Sequence, residues 1–322
     1  GVGRVRGTVR EDGSDTGTVA GAATVTVSVA TPAPTAAPAG AVRVYITSDN
    51  PAAKPSWDAQ SFGGFFYDIK YNRKTETLAI TRTMAELEAS RTINKNELVY
   101  TTGKANVDFK VFEKEGKKVL GEQSYPVVGW MAEKWVAVKG KANKLAKLTY
   151  EMDKEDKKTL TTGETWVLGA GYELTINALD ARTTPRQVWF TLKKDGAVVD
   201  EGISDEKNVF TKTMTIQGES DALLFTVYVD RIFSGSTSDM AQFKYAWLID
   251  GSTAMEVKSA DKFGPFEVRT ATSDTIMMDN ENSVSLSKNS ETAVLGNIKF
   301  VIADADELRV YPKVDCVIGV EI

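Results

Sequence analysis

Carboxylates are the residues in this chain whose spacing could do chemistry. Asp153, Glu155 and Asp156 stand together, and Asp279 and Glu281 form a second group. Asp304, Asp306 and Glu307 form a third. Oxygen-rich turns can hold Ca²⁺, which makes the first two groups candidate calcium ligands and Ca²⁺ the one cofactor suggested. None follows the EF-hand pattern, and lysines interleave the first group, so solvated turns are the plainer reading. Paired carboxylates also serve glycosidases, but that needs a cleft between them.

The rest of the inventory excludes chemistry. The 322 residues include no histidine and one cysteine, Cys316. No Ser-His-Asp triad, Cys-His dyad, zinc-histidine, type 1 copper or haem-histidine site can be built from this chain alone. An intrachain disulfide is impossible, and Cys316 is expected to be a buried thiol. Gly169-Ala-Gly171 has neither the lysine nor the following helix of a phosphate loop. The net charge of −5 gives no basic footprint for nucleic acid or an anionic membrane. No apolar window reaches the length of a membrane-spanning helix. The start at Gly1 reads as a processed or excised chain. Trp57, Trp130, Trp135, Trp166, Trp189 and Trp247 would bind sugar if they formed a flat exposed row. Most sit in alternating segments, which favours core packing.

The elements that must position these residues are strands. Period-two runs rich in β-branched and aromatic residues recur at 41–46, 107–112, 135–138, 172–176, 188–192, 223–229, 243–249 and 298–302. Lys194-Asp-Gly196 and Ile249-Asp-Gly251 are hairpin signals. Residues 83–90 suit a short helix. Residues 142–152 fit either a helix or a strand, and the turn-like Lys154-Glu-Asp156 favours a strand. The expected class is all-β, with sandwich packing.

An internal repeat organises these strands. Met152-Asp-Lys-Glu155 matches Met278-Asp-Asn-Glu281, and Glu164-Thr-Trp-Val-Leu-Gly169 matches Glu291-Thr-Ala-Val-Leu-Gly296. Tyr172-Glu-Leu-Thr-Ile176 then falls on Ile298-Lys-Phe-Val-Ile302, at an offset of about 126 residues. The second copy runs out at the C-terminus, and segments within 41–130 resemble its missing strands. We therefore expect a discontinuous first sandwich, 41–130 plus 262–322. The second sandwich, 131–261, is inserted between its halves.

Several stretches carry a family resemblance. They include Trp57-Asp-Ala-Gln-Ser-Phe-Gly-Gly-Phe-Phe-Tyr-Asp68, Gly129-Trp-Met-Ala-Glu-Lys-Trp135, Gly163-Glu-Thr-Trp-Val-Leu-Gly-Ala-Gly-Tyr172, Phe243-Lys-Tyr-Ala-Trp247 and Asp261-Lys-Phe-Gly264. In order, they resemble the S-layer duplication domain of Methanosarcina-type methanogenic archaea. The resemblance implies paired β-sandwiches, an extracellular cell-surface location, tiling into a porous acidic lattice, and no catalytic residues. A typical member carries two such domains in tandem, with a stalk, an anchor and N-glycosylation sequons. Here there is one domain, and no Asn-x-Ser/Thr sequon occurs.

The N-terminal arm, 1–40, stands apart. Ala23, Thr24, Val25, Thr26, Val27, Ser28, Val29 and Ala30 alternate without a charge. A proline- and alanine-rich spacer, 31–40, follows and reaches roughly 30 Å when extended. A lone strand needs an edge to join, so the arm is expected to add a strand either to its own body or to a neighbouring subunit. The leading expectation is a non-enzymatic structural protein of the archaeal cell envelope, partnered with copies of itself in a lattice, sheath or filament. The alternative is a surface carbohydrate-binding or adhesin module. Other envelope components remain candidate partners; nucleic acid is not one.

Overall fold

The structure is a computed structural model that describes residues 50–69, 71–235 and 237–314, plus the backbone of the strand Val25–Ser28 and of residues 315–318. The expected strand at 41–46, the spacer and the Cys316 side chain lie outside the described residues.

The chain is all-β, with two short α-helices and one 3-10 turn, Val138–Gly140, among the described residues. Period-two runs become strands because alternate side chains point to opposite faces, so one face can be buried. Glu76–Ile80 alternates buried and half-buried along its length, and Leu98–Gly103 does the same. The helix α1, Met84–Ser90, starts at Thr83 with a reciprocal cap. The Thr83 hydroxyl accepts the Glu86 N–H, and the Glu86 carboxylate accepts the Thr83 N–H at 2.8 Å. Residues 144–151 form a strand, as the turn after them indicated.

The chain divides into two compact units: 1–100 with 262–267 and 278–322, and 101–261 with 268–277. In the first, one sheet runs in the order Val25–Ser28, Val310–Ile318, Ile298–Ile302, Ser290–Leu295. Trp57 packs on Phe300 at 5.2 Å between ring centres. The buried carboxylate of Glu76 accepts hydrogen bonds from the Tyr100 hydroxyl at 2.8 Å and the Phe66 N–H at 3.0 Å.

In the second unit, an eight-stranded sheet faces a four-stranded one. The latter runs Thr165–Gly169, Tyr172–Asp180, Gln187–Lys194, Ala197–Asp205. Aromatic rings fill the space between them. Phe190 meets Phe210 edge-on at 4.7 Å and Phe243 at 6.4 Å, and Trp166 meets Tyr150 at 5.6 Å.

The structure corrects three sequence expectations. Residues 101–130 fall in the second unit, not with the first sandwich. Their strands Ala105–Asp108 and Ser124–Trp130 pair with each other, and the latter pairs with Glu133–Ala137 in an antiparallel ladder. The run 107–112 is a strand only to Asp108, and Lys110–Glu115 is the helix α2. Gly116 ends it in left-handed backbone, a conformation that costs glycine little. Asp250-Gly251 is not a hairpin, because one strand runs Asp239–Glu256 through it. Opposite it, Leu145 pairs with Met255 and Lys147 with Asp250, leaving an irregular bulge between. The Asp250 carboxylate accepts the Ser252 N–H and both neighbouring hydroxyls, which holds that bulge. Lys194-Asp-Gly196, by contrast, is a two-residue hairpin, with both Asp195 and Gly196 at positive φ.

The aromatic layer gives a first prediction. Phe243→Ala should cost about 3–5 kcal/mol, as for other buried phenylalanines. A urea denaturation midpoint lowered accordingly would confirm that the two sheets of the second unit fold as one layered core.

Candidate assembly surfaces

The carboxylates that looked like ligands are mostly paired with cations. Asp153 lies 3.7 Å from Lys110, Glu155 2.8 Å from Lys114 and Glu281 2.8 Å from Lys262. Asp306 pairs with Lys288, and Glu307 with Arg309 at 3.0 Å. Asp156 is exposed, and Asp279 is half-buried in the strand Thr275–Asn280. Among the described residues, no group of three or more histidine, cysteine or acidic side chains is gathered closely enough to hold a metal. The cations that pair with the first group come from α2, as Lys110 and Lys114, whereas the interleaved Lys154 pairs with Glu113.

The sequence did not single out the buried ion networks. Asp230 is only 4 % exposed, with Lys207 at 2.7 Å and Lys244 at 2.9 Å. Burial alone would raise its pKa, but the hydrogen bonds and charges of the two lysines outweigh that and hold it below its ordinary 3.8. Beside it, Glu115 accepts from the Tyr245 hydroxyl at 3.1 Å. Burial first, then the Glu115 and Asp230 charges, push Tyr228 up to about 12, so it stays a neutral phenol. Glu151 follows the same logic: burial opposes its charge, while Lys134, Lys110 and the Tyr125 hydroxyl hold its pKa down. Long-range strand pairing gathers these groups, and no local motif marks them.

The predicted arm strand is present at Val25–Ser28. It lies antiparallel to Val310–Ile318 of the same chain, with Val25 opposite Ile318 and Ser28 opposite Asp315. Backbone pairing at a sheet edge is what an uncharged alternating segment supplies. Ala23, Thr24, Val29 and Ala30 lie outside the described residues.

Five of the six tryptophans are buried, while Trp189 is 43 % exposed. It stands on the outer face of the four-stranded sheet, with Ile203 directly opposite on the next strand. Val167 and Val198 are exposed at the outer strands of that sheet. Among the described residues, no helix is long and apolar enough to cross a membrane.

These features describe a β-sheet protein with a strand paired along one sheet edge, exposed apolar side chains and surface charge pairs. The S-layer protein family matches residues 46–304. The major S-layer protein of Methanosarcina acetivorans is 37 % identical over 277 residues, 83 % of this chain and 39 % of that protein. The major S-layer proteins of Methanosarcina barkeri and Methanosarcina mazei are 35 % and 34 % identical over similar spans. The chain belongs to the S-layer protein family. It spans about two fifths of the length of these relatives.

The ion networks predict an acid limit. Asp230 and Glu151 have folded pKa values below those of the unfolded chain, so they stabilise the fold above their ordinary 3.8 and 4.5. That contribution is lost as pH falls through the lowered values. Asp230→Asn should remove about 1–3 kcal/mol at neutral pH and flatten the acid limb, as read by denaturant titrations at stepped pH. An unchanged acid limb would show that Asp230 is not one of the titrating groups.

Proposed function

We propose that this chain is a self-assembling subunit of an S-layer lattice and that its N-terminal arm links neighbouring copies by strand exchange. Family membership supports the lattice. The arm strand seated along Val310–Ile318 carries the linkage, because the same edge on a second copy offers identical partners. In this reading, residues 23–30 are the donated strand and 31–40 the reach. Two sandwiches, one inserted in the other, are the body that the arm joins. The role needs no catalytic residue, and the relatives are named for a layer rather than a reaction. The acidic balance gives the assembled layer a negative surface that repels anions.

A carbohydrate-binding role has one observation in its favour, the exposed Trp189 indole. Five buried tryptophans leave no row of stacking platforms beside it.

Negative-stain microscopy of the purified chain tests the proposal. Ordered arrays are expected from residues 1–322. Deleting residues 1–40 should leave folded particles that no longer form them. Unchanged arrays from the truncated chain would remove the arm from the mechanism, and a strictly monomeric full chain would remove the lattice.

A further inference from the structure

The outer face of the four-stranded sheet, Thr165–Gly169, Tyr172–Asp180, Gln187–Lys194, Ala197–Asp205, gathers apolar side chains that the core does not take. Val167 is 71 % exposed, Ile203 65 %, Val198 59 % and Trp189 43 %. Apolar side chains exposed together on one face mark an interaction surface.

Residues directly opposite on neighbouring strands share a face, so the register divides this surface into rows. One row is Val167, Glu173, Lys193, Val198. The next is Thr165, Thr175, Thr191, Glu201. The third starts one strand further in, as Ala178, Trp189, Ile203. The first row has a valine at each end and opposite charges in the middle, so it complements its own reverse. Glu173 and Lys193 take part in no ion pair among the described residues.

A two-fold axis parallel to the strands, in the gap between Tyr172–Asp180 and Gln187–Lys194, lays each row on its reverse. Glu173 then meets Lys193 of the second copy, and Lys193 meets its Glu173, so four charges alternate in sign. Val167 meets Val198. Trp189 meets Ala178, whose small side chain leaves room for the indole. Glu201 meets Thr165, whose hydroxyl lies 2.9 Å from that of Thr175. Thr175 can donate to Thr165, which frees the Thr165 proton for the carboxylate. Other positions of the axis lose this match. On the strand Gln187–Lys194 it stacks Lys193 on itself, and in the gap beyond it sets Lys193 against Val198.

We propose that this face docks on the same face of a second copy about that axis. The proposal rests on the lattice reading above and names one of its contacts, separate from the arm. Such a contact is isologous and closes on one partner, so propagation is left to the arm. Aligned sheets stack face to face about 10 Å apart. Four strands about 4.8 Å apart, with about 3.3 Å per residue, present a footprint of roughly 450 Å² a side. That is the scale of a weak contact, suited to repetition in a layer.

Lys193→Glu and Glu173→Lys each set like charges against one another across the axis. Each full-length variant should keep the wild-type circular dichroism and weaken self-association by about tenfold in sedimentation velocity. An equimolar mixture of the two should recover wild-type association, because one copy then offers two acids to two lysines. The double variant, with the charges exchanged, should recover it alone. Acrylamide quenching should show Trp189 becoming shielded as the wild type associates. Wild-type association by either single variant, or no recovery in the mixture, would overturn the face contact while arrays from the wild type keep the lattice reading. Association lost only on deleting residues 1–40 would also overturn it and place the linkage in the arm alone. A wild-type chain that never associates would overturn both.

Discussion

A β-strand at the rim of a sheet has one row of backbone donors and acceptors without partners, and that row must be paired, covered or kept wet. Much of this molecule can be understood as a response to that constraint. Val310–Ile318 would be a long rim strand, and the arm strand lies along it. At the other rim of the same sheet, Ser290–Leu295 carries Glu291, which pairs with Lys313 at 3.0 Å. In the second unit, the rim strand Val209–Ile216 carries Lys212, paired with Asp200 at 3.3 Å. Charges at a rim deter stray pairing and leave few places where a strand can be added. The uncharged arm fits such a place because it has no charged side chain to desolvate.

Much of the fold was legible from the alternation of side chains. Residues 298–302 are a strand with the boundaries that the pattern indicates, and the short helix expected at 83–90 is Met84–Ser90. Two of the segments that match in sequence are both antiparallel hairpins, Thr165–Gly169 with Tyr172–Asp180 and Ser290–Leu295 with Ile298–Ile302, each with a register shift near its turn. Failures came where tertiary pairing overrode local preference. Asp250-Gly251 has the composition of a turn, but both flanks pair with the single strand Lys144–Glu151, so the extra residues bulge out instead. Phe109 and Val111 alternate as in a strand, yet both are buried around a short helix that Gly116 can end.

The site was less legible than the fold for a related reason. Most of the acids close in sequence proved to be exposed ends of surface ion pairs, which contribute little to stability. The acids that matter energetically are isolated in the sequence. Asp230 and Glu151 become significant only because distant strands bring lysines to them in a poorly hydrated setting. A buried carboxylate with two cationic partners tolerates burial; one left with none would take up a proton instead. Sequence proximity therefore pointed to the carboxylates that the fold needs least.

The same distinction separates what holds the subunit together from what could join subunits. Interior aromatics such as Phe190 and Phe243 are committed to their own layer and leave nothing for a partner. Ile69, Val167 and Trp189 stand exposed instead. A single self-complementary patch is satisfied after one pairing, whereas a contact whose two halves differ can propagate. An arm donated to the acceptor edge of another copy would be a contact of the second kind, built from elements at the margin of the packed core. Substitutions there can alter assembly without disturbing the sandwiches that carry it.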